Sequence, residues 1–351
     1  MPDWTRSMMQ TFEFYVMDPT SYSRIKKLDT ITKCTIRRDL KADTLGSASF
    51  ESTEDLEECY IGIFLITIQD DVKESIPLGV FLNQSPGWDF DGYNRSISSD
   101  AYTPLIELQE KMPPLGYTVR TSQNILNSAY LIARDNMRTP VVKTSGEINL
   151  TSNFVANQND TWLKFITELL ANEKYELAFD EYNRLLFAPH QDVVSMRPIW
   201  TYNDDNSSIL YPDISLSRDL YDVPNVVEVV YSKNDLYFFS RVKNDNEDSE
   251  TSIPRRGREI LYREDASSTA NIVSQEQLDG YARNILREKS SLEYQITYKH
   301  GYCPVQIGDC VRLDYYASGL FGVKAKVTSQ SIECVPGCPV SETAVYSIAY
   351  Y

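Results

Sequence analysis

The chain predicts an α+β protein that is mostly β, and three observations carry that prediction. The first 85 residues read as strands, with no helical period of useful length. Two helical stretches in the middle give way at once to a β-hairpin. The closing segment runs from a capped amphipathic helix into a strand, a Gly-Asp turn and further long strands.

Taken in order, FEFYVMD (12–18), KCTIRRD (33–39), SASFEST (47–53) and YIGIFLITIQD (60–70) alternate or run apolar, with turn signals between them. The simplest architecture for them is a small barrel or sandwich. The polar stretch NQSPGWDFDGYNRSISSD (83–100) marks a shift in composition, and WDFDGYN (88–94) within it reads as a structural loop. A helix follows over 122–136, with Ile125, Leu126, Ala129, Leu131 and Ile132 at helical spacing and Ser122 as its N-cap. A stronger helix spans 159–173. Asp160 is placed to cap it, and Trp162, Phe165, Ile166, Leu169 and Leu170 share one face. YELAFD (175–180), the turn EYN and RLLFAPH (184–190) make the hairpin.

YNDDNSS (202–208) reads as a polar loop. VVEVVYS (226–232) and LYFFSRV (236–242) form a second hairpin around KND. KNDNEDSETSIPRRGRE (243–259) has the charged composition of a mobile surface loop. In the closing helix, 274–290, Ser274 and Gln277 form a capping box. Its stripe of Leu278, Tyr281, Ala282, Ile285 and Leu286 is expected to seal a barrel formed by the strands that follow. Those are LEYQITYK (292–299), the segment VQIGDCVRL (305–313), and two more strands ending at Tyr351.

Composition excludes several function classes. The 351 residues allow two or three domains, and 42% hydrophobic content can build sizeable cores. The apolar run in IGIFLI (61–66) is far too short to span a bilayer. MPDWTRSMMQ lacks the layout of a signal peptide, so a soluble, cytosol-made protein is expected. The net charge of −16 disfavours nucleic acid as a bound ligand. The 24 tyrosines suit strands and protein interfaces. Only His190 and His300 are available for acid–base or metal chemistry. Cys34, Cys59, Cys303, Cys310, Cys334 and Cys338 contain no CxxC and match no zinc spacing, so reduced thiols are the default. Cys334 and Cys338 flank a VPG turn, which leaves a local disulfide open after release from a cell.

No catalytic constellation emerges. Asp70-Asp71, Asp89 with Asp91, Asp204-Asp205 and Glu57-Glu58 are paired carboxylates in polar segments, where solvation is the ordinary role. WDFDGYN (88–94) interleaves aromatics with acids, yet lacks a complete calcium loop. A nucleophilic site would need Cys303 beside His300 or Asp192 beside His190, a geometry that sequence neighbours at a strand end seldom adopt. GxSxG, GxGxxG and GxxxxGK[ST] are absent. The basic run RRGR (255–258) is expected to be solvated or to anchor an acidic neighbour. No catalytic residue, metal ligand or cofactor is expected.

A β-rich start with Trp4-Thr5-Arg6 and the SASFES strand, an α/β insert, and a β-rich return ending in helix, LEYQITYK and P-x-x-x-GD-x-V-x-L (Pro304, Gly308, Asp309, Val311, Leu313) resemble the baseplate hub proteins of tailed phages and related contractile injection machines. The resemblance implies two tail-tube-like antiparallel β-barrels built from non-contiguous segments, with an α/β insert and a helix flanking the C-terminal barrel. It divides the chain into an N-terminal barrel domain (1–100), the insert (101–200) and the return with its C-terminal barrel (201–351). It further implies a homotrimeric ring of pseudo-sixfold symmetry and no enzyme activity. Such a ring joins a hexameric tail tube to a trimeric central spike or tip, beside the tape-measure protein and other baseplate proteins. Its place is the virion tail baseplate, assembled in the host cytoplasm, with no membrane partner. DNA would pass through the lumen without specific binding, and an acidic lumen wall would let phosphates slide. A tail-associated peptidoglycan hydrolase and a receptor- or glycan-binding tail protein are the alternatives.

Overall fold

A computed structural model describes residues 2–90, 92–93, 95–233, 236–267 and 272–348. Asp91 and Asn94 of WDFDGYN, Asn234 and Asp235 of the KND turn, and the end of the expected last strand (349–351) lie outside the described residues. The chain forms two compact units. One comprises Met1–Ile214 with Tyr298–Thr343, the other Ser215–Thr297 with Ala344–Tyr351.

The first unit opens with seven strands: β1 (Met9–Met17), β2 (Arg24–Lys27), β3 (Ile31–Asp39), β4 (Gly46–Ser52), β5 (Cys59–Gln69), β6 (Val72–Phe90) and β7 (Arg95–Tyr102). β5 explains why a strand can read as a continuous apolar run. Ile61, Ile63 and Leu65 on one face join a core with Phe14, Ile36, Phe50, Leu78 and Phe81. Tyr60, Phe64 and Ile66 on the other join Met17, Val80 and Leu82. Both faces are covered, so alternation disappears.

Trp88–Phe90 of the loop expected at 88–94 belong instead to a two-stranded ribbon. β6 continues to Phe90, and Trp88 pairs with Ile97 in β7. Residues 86–90 are exposed on both faces of β6. Backbone pairing forms the ribbon, and no apolar period announces it.

The insert contributes α1 (Ile106–Gln109), β8 (Thr118–Val119), α2 (Ile125–Asn136), β9 (Phe154–Val155), α3 (Trp162–Ala171), β10 (Tyr175–Phe179) and β11 (Leu185–Pro189). Both expected N-caps are displaced. Asn124, not Ser122, caps α2 by accepting from Asn127 N at 2.9 Å. Ser122 has φ of 66°, outside the extended region a cap needs. Thr161, not Asp160, caps α3 through Lys164 N at 3.2 Å. The Asp160 carboxylate is occupied with Asn157 N at 2.7 Å and Lys164 Nζ at 2.9 Å. The apolar faces of both helices pack with Leu105, Leu177, Leu185 and Phe187 into one core.

β12 (Trp200–Asn203) and β13 (Leu210–Arg218) follow. Tyr202 and Asn203 of the expected polar loop therefore end a strand, and Tyr202 is buried. The second unit then holds β14 (Val226–Lys233), β15 (Leu236–Lys243), α4 (Ile253–Arg256), β16 (Leu261–Asp265) and α5 (Gln275–Lys289). The stripe of α5 packs on Val227, Val229 and Tyr231, so the helix covers the strands that precede it rather than those that follow. β14 pairs with β15 and β16, and its inner face needs that cover. Ser274 Oγ caps the helix as expected, accepting from Gln277 N at 3.3 Å, while Gln277 Oε1 reaches one residue past the cap and accepts from Val273 N at 3.0 Å.

The 243–259 segment is not a free loop. Asn244, Ser249, Thr251 and Ser252 are fully buried. Asn244 Nδ2 donates to Ser249 Oγ at 2.9 Å, and Thr251 Oγ1 donates to the Ser290 carbonyl at 3.0 Å. Short polar side chains satisfy one another here, which composition alone reports as solvation.

β17 (Leu292–Gly301), β18 (Cys310–Tyr315), β19 (Leu320–Glu333) and β20 (Pro339–Ile348) end the chain. The strand order β13-β17-β20-β19-β3-β4-β7-β6-β5-β1-β2 makes one sheet, with β18 on β19 and β12 parallel to β18. The join is β19 against β3, with Gln330 opposite Arg38 and Ile332 opposite Ile36. Segments from the two ends of the chain thus complete one sheet.

The Gly-Asp turn has a specific reason. Gly308 has φ of 90° and Asp309 Oδ2 accepts from Gln306 N at 2.7 Å. Gly308 N donates to the Val327 carbonyl at 2.8 Å, and Val327 N to the Asp309 carbonyl at 2.9 Å, tying the turn to β19. A Cβ on Gly308 would meet nothing within 4 Å, so Gly308→Ala tests the backbone alone. It is expected to lower stability by about 1–2 kcal/mol, measured by urea unfolding.

Candidate functional site

Five strands of the first unit each send one polar side chain into the same buried line. Arg38 (β3), Gln330 (β19), Glu342 (β20), His300 (β17) and Tyr202 (β12) are all at least nine-tenths buried. Arg38 Nη1 donates to Gln330 Oε1 at 3.2 Å, and Nη2 to the Leu78 carbonyl at 2.8 Å. Gln330 Nε2 donates to Glu342 Oε1 at 2.9 Å and to the Val305 carbonyl at 2.9 Å. The other carboxylate oxygen receives Tyr202 OH at 2.9 Å and His300 Nε2 at 2.8 Å. His300 Nδ1 lies 2.7 Å from the Gly301 carbonyl.

Both ring nitrogens of His300 face acceptors, which assigns the imidazolium form. Burial drives its pKa down, but hydrogen bonds with Cys303 and Glu342 and the Glu342 charge outweigh it, and the value is pushed up to about 10. Burial, then the Glu342 charge, raise Tyr202 and keep it a phenol donor. The Tyr202 and Tyr298 rings flank the pair, 4.8 and 5.8 Å from the His300 ring.

His300 and Cys303 do meet, contrary to expectation, with Sγ 3.9 Å from Nδ1. The reason is that β17 ends in a tight return that brings Cys303 back into the same core. Both are sealed from solvent, and Nδ1 faces the Gly301 carbonyl. A protonated ring offers no base to the thiol. The arrangement is suited to holding strands in register.

The remaining candidates stay apart. His190 pairs with Glu176 (Nδ1–Oε2 3.3 Å), while Asp192 turns back to Val194 N at 3.2 Å. Asp70 pairs with Arg6 at 3.0 Å, and Asp71 is exposed. Asp204 accepts from Tyr316 N at 2.9 Å, and Asp205 closes a turn on Ser207. Glu57, Glu58 and Asp89 are exposed. In RRGR, Arg256 donates to the Val223 and Leu220 carbonyls at 2.8 and 2.9 Å, and Arg255 to the Glu247 carbonyl at 2.8 Å. Two basic residues thus anchor backbone. Among the described residues, no cluster of three or more His, Cys, Asp or Glu side chains is placed to hold a metal ion. No helix among them is long and apolar enough to cross a membrane. Cys334 and Cys338 are both free thiols.

The surface carries a different kind of feature. Trp88 and Phe90 on the β6–β7 ribbon are about 60% exposed. The Arg95 guanidinium sits 5.1 Å from the Trp88 ring and pairs with Asp55 at 3.2 Å. β2 ends the sheet with all four residues, Arg-Ile-Lys-Lys, exposed. Charge on an edge strand discourages indiscriminate pairing.

Arg38, Tyr202, Gln330 and Glu342 escaped sequence reasoning because no local spacing links them. One signal was available. Leu292, Tyr294, Ile296, Tyr298 and His300 fall in one period-2 phase, and all are buried. A histidine in an inward phase requires a polar partner.

The fold is known from solved tail proteins. No family model and no curated protein matches the sequence. Among solved structures, a tail protein from Neisseria meningitidis MC58 matches with a TM-score of 0.65 and 13% identity, covering 96% of each chain. The 43 kDa tail protein of prophage MuSo2 from Shewanella oneidensis matches with a TM-score of 0.62 and 10% identity, over 95% of this chain and 98% of the other. A chain of the Francisella PdpA–VgrG complex matches with a TM-score of 0.58 and 11% identity, over 97% of this chain and 53% of its own length. This chain therefore has the mostly β fold of phage tail and VgrG-type proteins.

Proposed function

We propose that this chain is a structural hub protein of a phage tail or phage-like particle. Three copies form a ring that adapts a sixfold tail tube to a threefold central spike or tip. The observation that carries the proposal is a whole-length match in fold to tail proteins, covering 96% of both chains in one case. The joining of β3 to β19 supports barrels built from non-contiguous segments. We place an N-terminal barrel in 1–100, the insert in 101–200 and the returning barrel in 201–351. The partners are then the tube, the spike and neighbouring baseplate proteins, and the location is the virion tail. The role is non-enzymatic. The sealed, protonated His300 supports that reading by leaving Cys303 without a base. Exposed Trp88, Asp89 and Phe90 favour a second reading, a glycan-binding tail protein, because aromatic faces and carboxylates suit sugars.

Native mass spectrometry separates the two. The expected result is a species of three 40.2 kDa chains, with threefold rings by electron microscopy. A persistent monomer with affinity for cell-wall sugar would overturn the hub in favour of the second reading.

A further inference from the structure

Two cysteines far apart in sequence face each other where β3 joins β19. In the antiparallel register of β3 and β19, Ile36 opposes Ile332 and Thr35 opposes Glu333. The next step sets Cys34 opposite Cys334, whose N–H donates to the Cys34 carbonyl at 3.0 Å. Opposed residues of a hydrogen-bonded antiparallel pair have Cα atoms about 5.5 Å apart and side chains on one face. A disulfide accepts Cα separations of roughly 4.4–6.8 Å. Both thiols point into the same core, with Ile36, Phe50 and Ile332. We propose that Cys34 and Cys334 are a disulfide-forming pair, closed by a small-molecule disulfide such as oxidised glutathione.

The chemistry balances without further reagents. One cysteine thiolate attacks a glutathione sulfur, and a glutathione thiolate leaves and takes up a proton. The second thiolate then attacks the protein sulfur of the mixed disulfide and releases the second glutathione. Two protein thiols are oxidised and one glutathione disulfide is reduced. The neighbouring Cys34 thiol, and then burial, push the Cys334 thiol well above the ordinary range. Exchange in the folded protein is therefore slow and waits for local opening, whereas a refolding chain reacts readily. The bond would link positions 300 residues apart and pin β3 to its neighbour β19 inside the sheet. Cys338, buried in the same core, is the competing partner for Cys334. The pair rests on strand register alone and is independent of the tail reading.

The test is peptide mapping of the full chain after refolding in a glutathione redox buffer, with free thiols alkylated. The expected product joins the peptides of Cys34 and Cys334, persists in Cys338→Ala, and raises Tm by about 5–10 °C over the reduced form. A Cys334–Cys338 link, or Cys34 and Cys334 both alkylated after oxidative refolding, overturns the proposal. Mapping of the unsubstituted chain decides the matter even where Cys338→Ala fails to fold.

Discussion

Replacing Glu342 by alanine is expected to cost about 3–5 kcal/mol of folding stability, among the largest effects of any single change. The carboxylate accepts hydrogen bonds from His300, Tyr202 and Gln330 together. Its removal leaves a buried imidazolium with no counter-ion, leaves Tyr202 OH only the weak Cys303 sulfur at 3.3 Å, and leaves Gln330 Nε2 only the Val305 carbonyl at 2.9 Å. Urea unfolding measures the loss as a fall in midpoint at constant slope. The double variant Glu342→Leu/His300→Leu should recover much of it, since a buried ion pair replaced by apolar side chains is often neutral. A loss equal to that of an ordinary surface substitution would show that the line of polar groups is dispensable.

The second large effect is in pH. The folded His300 pKa lies near 10, above the value of 6.5 for a free imidazole. The folded state therefore holds a proton that the unfolded state has lost over that interval. The pair's contribution is fully present below pH 6.5 and declines as pH rises toward 10, by about 1.4 kcal/mol for each pH unit. Chemical denaturation at intervals from pH 6 to 9.5 should show this slope, and His300→Gln should flatten it. A wild-type curve that rises with pH would contradict the assignment of an imidazolium.

How much of this was legible depended on whether residues carried a periodic signal. The strands β1, β3 and β4, the first hairpin and helix α5 follow an apolar period, β5 is an unbroken apolar run, and the sequence located each. The ribbon of β6 and β7 was missed because residues 86–90 bury no apolar side chain. The ordered segment at 243–259 was missed because its contacts are among Asn, Ser and Thr. The placement of α5 failed for another reason. A stripe shows that a helix has a buried face and does not say which strands cover it. The polar line could not be found by spacing, because it collects one residue from each of five strands. Only the inward phase of His300 hinted at it.

The pairing of β3 with β19 also has a consequence in time. Arg38 and Gln330, opposite each other across that join, are 292 positions apart. At typical synthesis rates of about 5–20 residues per second, β3 emerges roughly 15–60 s before its partner exists. For that interval one edge of the first sheet presents open backbone donors and acceptors to any other chain on the same polysome. The nascent protein must therefore outlast a window in which its own siblings are its nearest competitors for pairing, and crowding of identical chains is the condition under which it is most exposed.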